Sequence, residues 1–313
     1  MAPTILVIGA TGNTGQSVVY SLPKLLGLKN SKYRILGLTR SLDSPASKKL
    51  ANLPFVEMQE KDWTTINAEW LKEQEVVRAY VAPYNSTHQF VEESELYVAL
   101  LNARVKYVVK VSTNLDLIGP ASPVLYGRTH WAIETLLSQP EFKDLQWTSL
   151  RPNIFTGVCL GFAANWVSQY KNTGKQETLE VILDADTPVA VIDPQDVGIV
   201  GAHLLALEDP TPHNQAKYVL SGPQDINGKQ IVEMVEQHVG VKVQNVEFKS
   251  TVPLNAVVTA GLFPEKYLPS VLSGIPGLWE NRCSLSRLPT SKEIIELAPP
   301  SHTAAEAFKA MVE

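Results

Sequence analysis

The sequence predicts an α/β protein built on a doubly wound parallel sheet, and three observations support that prediction. Short apolar runs of strand length alternate with segments of helical apolar spacing through about residue 150, a pattern typical of repeated strand–helix–strand units. The first run, Thr4-Ile5-Leu6-Val7-Ile8, is continuously apolar or β-branched, as expected of a strand buried on both faces. It leads directly into three glycines spaced three apart and then into a helix. We therefore expect one parallel sheet covered by helices on both sides.

The predicted elements of the first half follow in strict alternation. Strands are expected at residues 4–8, 34–39, 55–58, 76–81, 107–111 and 147–150, with helices at 16–22, 44–50, 66–74, 90–103 and 131–137 between them. Pro83 stops the fourth strand, and Ser112 and Thr113 end the fifth. Such alternation predicts parallel strands joined by crossover helices.

The second half is less regular. Its apolar runs predict strands at 189–192, 218–220 and 241–248 and helices at 194–207, 228–238 and 303–311. We predict a sheet domain over residues 1–150 and a smaller α/β lobe over residues 151–313, some segments of which return to the sheet. This lobe is expected to cover the carboxyl edge of the sheet, where ligands of such folds bind.

Composition limits the function classes. The 313 residues are 44% hydrophobic and 19% charged, with a net charge of −5, so no general attraction to nucleic acid or an anionic membrane is expected. Two cysteines are too few for a disulfide framework or a zinc cluster, and no metal site is predicted. No charged leader and no apolar run of about 20 residues is present, so we expect a cytoplasmic protein.

The glycine turn at Gly9, Gly12 and Gly15 is the strongest functional signal. Glycines let the backbone turn sharply and approach a ligand closely, and free N–H groups at the following helix start attract an anion. In the common dinucleotide fingerprint the first two glycines are two apart, whereas here they are three apart. A nucleotide phosphate site is the leading interpretation, and a tight strand-to-helix turn without ligand is the alternative.

Four segments together resemble the NmrA-like family of atypical short-chain dehydrogenase/reductases. They are "VIGATGNTGQSV", "VKYVVKVST", "THWAIETLL" with "TSLRPNIF", and "YVLSGPQDINGKQIVEMVEQHVGVKV". The resemblance implies a Rossmann domain that binds a dinucleotide. It leaves function open, because some members are sensors without chemistry, others reduce double bonds, and fungal relatives act on indole alkaloid intermediates.

The resemblance implies an NADP(H) site. After the second strand a carboxylate would accept bonds from a ribose 2′-hydroxyl, whereas an arginine would bind a 2′-phosphate. The segment reads Thr39-Arg40-Ser41 with no acid before Asp43, which favours the phosphate. The predicted cofactor residues are Gly9, Thr11, Gly12, Asn13, Thr14, Gly15, Arg40, Ser41, Asp62, Pro83, Tyr84, Lys110, Pro152, Asn153 and Phe155. A solvated Arg40, a helix-capping Asp62 and a snorkelling Lys110 are the structural alternatives.

Around the nicotinamide, short-chain reductases commonly place a Ser, a Tyr and a Lys four residues after that Tyr. Here Ser112 ends the fifth strand, and Tyr126 is followed four residues later by His130 instead of a lysine. Ser112, Tyr126 and His130 are the predicted catalytic residues. A site without an activated proton donor suits an iminium or similar cationic carbon, because hydride attack on it yields a neutral amine.

Aromatic side chains provide material for a flat substrate pocket. The predicted substrate residues are Thr113, Phe162, Trp166, Tyr170, Phe263 and Trp279. Tryptophan and tyrosine can stack on an indole while keeping a polar group available, and ordinary core packing is the alternative for each.

Two functional hypotheses follow. The first is an NADP(H)-dependent oxidoreductase of fungal specialised metabolism that transfers a hydride to or from an imine- or iminium-type indole alkaloid intermediate, with cyclisation as an optional coupled step. The second is a non-catalytic NADP(H) redox sensor that binds a transcriptional regulator. The expected partner is a small molecule, a polycyclic alkaloid, and neither nucleic acid nor membrane; the sequence does not specify an oligomeric state.

Overall fold

The structure is a computed structural model that describes residues 2–27, 33–84, 86–252, 254–255 and 265–313. Its main sheet has seven strands in the order β3-β2-β1-β4-β5-β6-β8, and every neighbouring pair is parallel. These strands are β1 (Thr4–Ile8), β2 (Arg34–Thr39), β3 (Val56–Glu60), β4 (Val76–Val81), β5 (Tyr107–Val111), β6 (Gln146–Pro152) and β8 (Ala216–Leu220). The predicted α/β class with a doubly wound parallel sheet is confirmed.

Eight α-helices lie in the described residues before residue 240, and most of them cover the two faces of this sheet. They are α1 (Gly15–Gly27), α2 (Pro45–Leu50), α3 (Ala68–Glu73), α4 (Gln89–Asn102), α5 (Leu125–Leu137), α6 (Thr156–Thr173), α7 (Pro194–Ala206) and α8 (Gly228–Val239). Helices α1 and α7 pack together over one face, and α3, α4 and α5 pack over the other. Strands such as β1 are completely buried for this reason.

A separate apolar core lies beyond the carboxyl edge of the sheet. It is formed by α6, α8, the short strands β7 (Leu179–Val181) and β9 (Val246–Phe248), and the C-terminal helix Ala304–Val312. Strands β7 and β9 pair with each other and not with the main sheet. Among the described residues of the second half, three further helices span Leu268–Leu272, Pro276–Trp279 and Lys292–Leu297. Within the described ranges, no helix is both long and apolar enough to cross a membrane.

The structure corrects several predicted elements. Residues 189–192 form only isolated bridges, Val189 with Ile226 and Ile192 with Phe155, and of residues 241–248 only the last three form a strand. Helix α6 was not predicted, because its glycines and its weak apolar periodicity hide it from a pattern search. Helix α5 begins six residues earlier than expected, which places Tyr126 and His130 on one helix.

Candidate active site

The turn after β1 has the backbone geometry of an anion-binding loop. Gly9 is left-handed with φ +82°, and a Cβ atom there would collide with the carbonyl oxygen of Ala82. A Cβ atom on Gly15 would collide with the carbonyl oxygen of Gly9, so both positions require glycine. The N–H groups of Asn13 and Thr14 donate to no acceptor in the part of the chain that the structure describes. They are therefore available to an anion at the start of α1.

A first cavity of about 440 Å³ extends from this loop along the carboxyl edge of the sheet. Nine of the predicted cofactor residues line it: Gly9, Thr11, Gly12, Asn13, Thr14, Arg40, Pro83, Tyr84 and Phe155. Arg40 follows β2 with an exposed side chain. The loop and the arginine thus face one continuous space, as an extended phosphorylated ligand would need.

A second cavity of about 430 Å³ lies under the second half of the chain. Pro152, Asn153, Thr113 and Phe162 line it, as predicted for cofactor or substrate contacts. Its remaining lining is mainly aliphatic and includes Val158, Leu254, Leu268, Val271, Ile275 and Leu278. No charged side chain belongs to the described lining. The space therefore suits a largely apolar ligand.

The two cavities meet at Ser112, His130 and Phe155, which line both of them. The hydroxyl Oγ of Ser112 is buried and has no hydrogen-bond partner among the described residues. A buried hydroxyl without a hydrogen-bond partner is energetically unfavourable unless a bound ligand supplies that partner. This junction is the place where a group in one cavity would touch a group in the other.

Tyr126 lies one helical turn before His130 on α5 and lines the second cavity. Burial, with a smaller contribution from Cys283, raises the pKa of the Tyr126 hydroxyl to about 12. In the Tyr–Lys arrangement the lysine would lower this pKa. The Tyr126 phenol consequently stays protonated at neutral pH and is a weak proton donor.

His130 is buried, and its imidazole is uncharged. Burial, followed by the positive charge of Lys110, holds the pKa of His130 well below its usual range. The Nζ atom of Lys110 lies 3.2 Å from Nδ1 of His130 and 3.3 Å from the carbonyl oxygen of Val111. A lysine thus does lie beside His130, the residue four positions after Tyr126. This lysine comes from β5, however, and it lines neither cavity.

Behind His130 lies a buried polar cluster on α4. Gln89 Nε2 lies 3.4 Å from His130 Nε2 and donates to Glu93 Oε1 at 2.7 Å, and the Tyr97 hydroxyl donates to Glu93 Oε2 at 3.1 Å. Burial raises the pKa of Glu93, and the charge of Lys110 opposes that rise. This cluster holds the His130 side chain in place on the side that faces away from the two cavities.

Asn153 lines the second cavity, but its amide is used entirely by the protein. Its Oδ1 atom accepts from Asn114 Nδ2 and from the N–H of Ile154, and its Nδ2 atom donates to Ser221 Oγ and the carbonyl of Cys283. Those four bonds exhaust the capacity of an asparagine side chain. Asn153 therefore joins the loops around the cavity and has no free bond for a ligand.

Several predicted site residues lie elsewhere. Asp62 accepts from the N–H of Thr64 at 3.0 Å and caps the turn Trp63–Thr65, and Ser41 accepts from the N–H of Asp43. The Trp166 and Trp279 indoles donate to the carbonyls of Glu177 and Ile182, and Tyr170 stacks on Trp166. None of these lines either cavity. Phe263 lies outside the described residues.

The lining residues of the first cavity that were not predicted include Lys61 and Trp63. They follow β3, the strand beside β2, on either side of Asp62. The sequence feature that could have identified these two residues is their position just after the end of a strand. Across the described ranges, no group of three or more His, Cys, Asp or Glu side chains could hold a metal ion.

Fold and site define the class: an α/β protein with a glycine-rich loop and two joined cavities at the carboxyl edge of a parallel sheet. Residues 1–273 match the model of the NmrA-like family, and the chain belongs to that family. No curated protein matches the sequence.

Solved structures are similar over nearly the whole chain. The NADPH-dependent quinone oxidoreductase of Escherichia coli, complexed with NADPH, is 17% identical with a TM-score of 0.72, covering 99% of this chain and 100% of that one. The Citrobacter sp. triphenylmethane reductase complexed with NADP(H) is 18% identical with a TM-score of 0.71, covering 98% and 99%. NmrA, a negative transcriptional regulator in complex with NADP, is 14% identical with a TM-score of 0.63, covering 99% and 91%. At these identities the likeness concerns the fold.

Proposed function

We propose that this protein is an NADP(H)-dependent oxidoreductase whose substrate is a small apolar polycyclic molecule with an imine or iminium carbon. Indole alkaloid intermediates of fungal specialised metabolism have this chemistry, and ring closure is an optional following step. The observation that carries the proposal is the junction at Ser112, His130 and Phe155, where a phosphate-binding cleft meets an uncharged apolar cavity. Similar folds in two NADPH- or NADP(H)-bound reductases support the cofactor.

The residues of the first cavity fit a phosphorylated dinucleotide. Gly9 and Gly15 let the backbone close into a tight loop, because a Cβ atom at either position would collide with a carbonyl oxygen. The free N–H groups of Asn13 and Thr14 in this loop would hold the pyrophosphate. Arg40 would bind a 2′-phosphate. NADPH, when bound, supplies a hydride from its nicotinamide ring. The Phe155 ring and the Ser112 hydroxyl would orient that ring at the junction.

The second cavity favours an acceptor that needs no proton. The Tyr126 phenol is a weak acid because burial raises its pKa, and His130 is neutral. Hydride attack on an iminium carbon forms one C–H bond and moves the C=N π electrons onto nitrogen, which becomes a neutral amine. The mainly aliphatic walls of the second cavity favour an apolar ring system over water.

The function is tested by mixing the purified chain with NADPH and three acceptors: a cyclic indole-type iminium, a cationic triphenylmethane dye and a neutral quinone. We expect NADPH consumption with the cationic acceptors and slower consumption with the quinone. The measurement is the loss of NADPH absorbance with identification of the reduced product. No consumption with any acceptor would overturn the enzymatic proposal.

Arg40→Ala is expected to weaken NADPH binding by about 1.5–3 kcal/mol and to leave NADH binding unchanged, because only NADPH loses a charge-assisted hydrogen bond. Calorimetric titration of both cofactors measures the difference. Arg287→Ala, which removes another exposed arginine away from both cavities, is the matched control. An equal loss for both cofactors would show that Arg40 does not contact the 2′-phosphate.

Tyr126→Phe is expected to change kcat with an iminium acceptor by less than about threefold, because no proton transfer is required. With a neutral carbonyl acceptor the same change removes a hydroxyl that can donate to the developing oxyanion, so a larger loss is expected. Steady-state kinetics with both acceptors measure the contrast. A fall beyond about a hundredfold with the iminium would identify Tyr126 as an obligatory acid.

The fold likeness to the regulator NmrA favours a second candidate, a sensor that binds NADP(H) and then a transcriptional regulator. The absence of a lysine four residues after Tyr126 is compatible with it. Tight NADP⁺ binding without turnover of any acceptor, together with NADP⁺-dependent association with a regulator, would favour the sensor over the enzyme.

A further inference from the structure

Two cationic residues stand side by side at the rim of the first cavity. Strands β2 and β3 pair in parallel so that Thr39 is opposite Glu60, and the N–H of Lys61 donates to the carbonyl of Thr39 at 3.2 Å. Arg40 and Lys61 are therefore the next residues past two adjacent strand ends. Both line the first cavity.

Neither cation makes an ion pair within the part of the chain that the structure describes. Among the described residues, the Lys61 ammonium contacts the Thr65 hydroxyl at 3.3 Å and the face of the Trp70 ring, whose centroid is 5.0 Å away, and both groups are neutral. Flexible contacts of this kind let the ammonium turn towards the cavity at little cost.

The nearby carboxylates are already in use. Asp43 pairs with Lys48 at 3.1 Å, the Glu60 carboxylate accepts from the N–H of Leu42 at 3.2 Å, and Asp62 caps its own turn. Two neighbouring positive charges repel each other, and an anion bound between them would reverse that repulsion. The rim therefore offers an anionic ligand group two cations that form no ion pair with the described residues.

We propose that Lys61 acts with Arg40 as the second cation for a phosphomonoester dianion on the cofactor ribose. This inference rests on the proposed NADP(H) function and extends it, because it assigns the choice between the two nicotinamide cofactors to two strand ends. Arg40 supplies a planar fork, and Lys61 supplies a mobile point charge that completes the neutralisation. A ribose that carries only a 2′-hydroxyl would gain nothing from the second cation.

The test uses two probes that differ only in the 2′-phosphate, adenosine 2′,5′-bisphosphate and adenosine 5′-monophosphate, titrated calorimetrically into the full chain. Lys61→Met is expected to weaken the bisphosphate about tenfold and to leave the monophosphate unchanged, because one charge-assisted contact is lost. Lys61→Arg keeps the charge and is expected to keep most of the affinity. Lys72→Met, an exposed lysine on α3 that lines neither cavity, is the matched control and is expected to have no effect.

The outcomes separate this inference from the proposed function. If the unmodified chain does not prefer the bisphosphate, the NADP(H) proposal itself fails. If the chain prefers it and Lys61→Met keeps that preference, NADP(H) binding stands and the role of Lys61 is refuted. An equal loss for both probes also refutes it, because the 2′-phosphate would then not be the group that Lys61 contacts. Greater weakening of the bisphosphate by Arg40→Ala/Lys61→Met than by either single change is the result expected of two cations on one anion.

Discussion

Gly12→Val is expected to abolish measurable NADP(H) binding while the chain remains folded. Gly12 is exposed, has no positive φ and lines the first cavity, and a Cβ atom there meets only the Gly9 carbonyl oxygen at 3.1 Å. The branched side chain would therefore project where a pyrophosphate approaches the loop. Losing two charge-assisted hydrogen bonds of about 1.5–3 kcal/mol each lowers the affinity at least about a hundredfold.

The measurement is calorimetric titration with NADP⁺, with circular dichroism to verify the fold. Gly119→Val is the control, because a Cβ atom on Gly119 meets nothing within 4 Å and the residue lines neither cavity. Unchanged affinity in Gly12→Val would place the phosphates away from this loop. Gly15→Ala should behave differently and unfold more easily, because its Cβ would strike the Gly9 carbonyl.

Lys110→Met is expected to lower the free energy of unfolding by about 3 kcal/mol or more at neutral pH. The lysine is completely buried, and the fully buried Glu93 carboxyl interacts with its charge. Removing the lysine takes away the positive charge that favours the ionised Glu93 carboxylate in a low dielectric, and leaves that carboxylate only the hydrogen bonds described above from Gln89 and Tyr97. Urea unfolding followed by fluorescence measures the loss.

The same variant should show a characteristic pH dependence. Burial already raises the pKa of Glu93 above its usual 4.5, and Lys110 opposes the rise. Without Lys110 the folded chain holds a proton that the unfolded chain releases, so the folded state loses stability as pH increases through the raised pKa. The difference between Lys110→Met and the unmodified chain should therefore be smallest near about pH 4–5 and grow towards neutrality.

The double change Lys110→Met/Glu93→Gln is the control for this interpretation. It removes both charges together, so it should recover part of the stability that the single change loses. A pH-independent loss, or no recovery in the double variant, would show that Lys110 does not stabilise the core through Glu93, which leaves its packing and its charge interaction with Glu134 as the cause.

Local sequence patterns predicted the parts of this protein whose structure depends on residues that are close together in the sequence. The apolar run at Thr4–Ile8 and the glycines after it specify a strand, a turn and a helix start within 15 residues, and all three are present. The same local signals predicted too much at residues 189–192, where buried apolar residues form isolated bridges to Ile226 and Phe155 and no continuous strand. Burial, and not a continuous strand ladder, accounts for that apolar pattern.

The aromatic residues show most clearly what the sequence does not determine. Nothing in the sequence separates Phe162, which lines the second cavity, from Trp166 four residues later on the same helix, whose indole is bonded to the Glu177 carbonyl inside the second core. Lys61 was likewise not predicted as a site residue, because its place beside Arg40 results from the pairing of β2 with β3. The sequence by itself determined the parallel α/β framework and the glycine turn after the first strand, since both follow from periodicity and from the steric freedom of glycine. Only the tertiary structure decided which side chains meet at the junction and which are core, because residues far apart in the chain share a cavity only when the strand order and the helix packing bring them together.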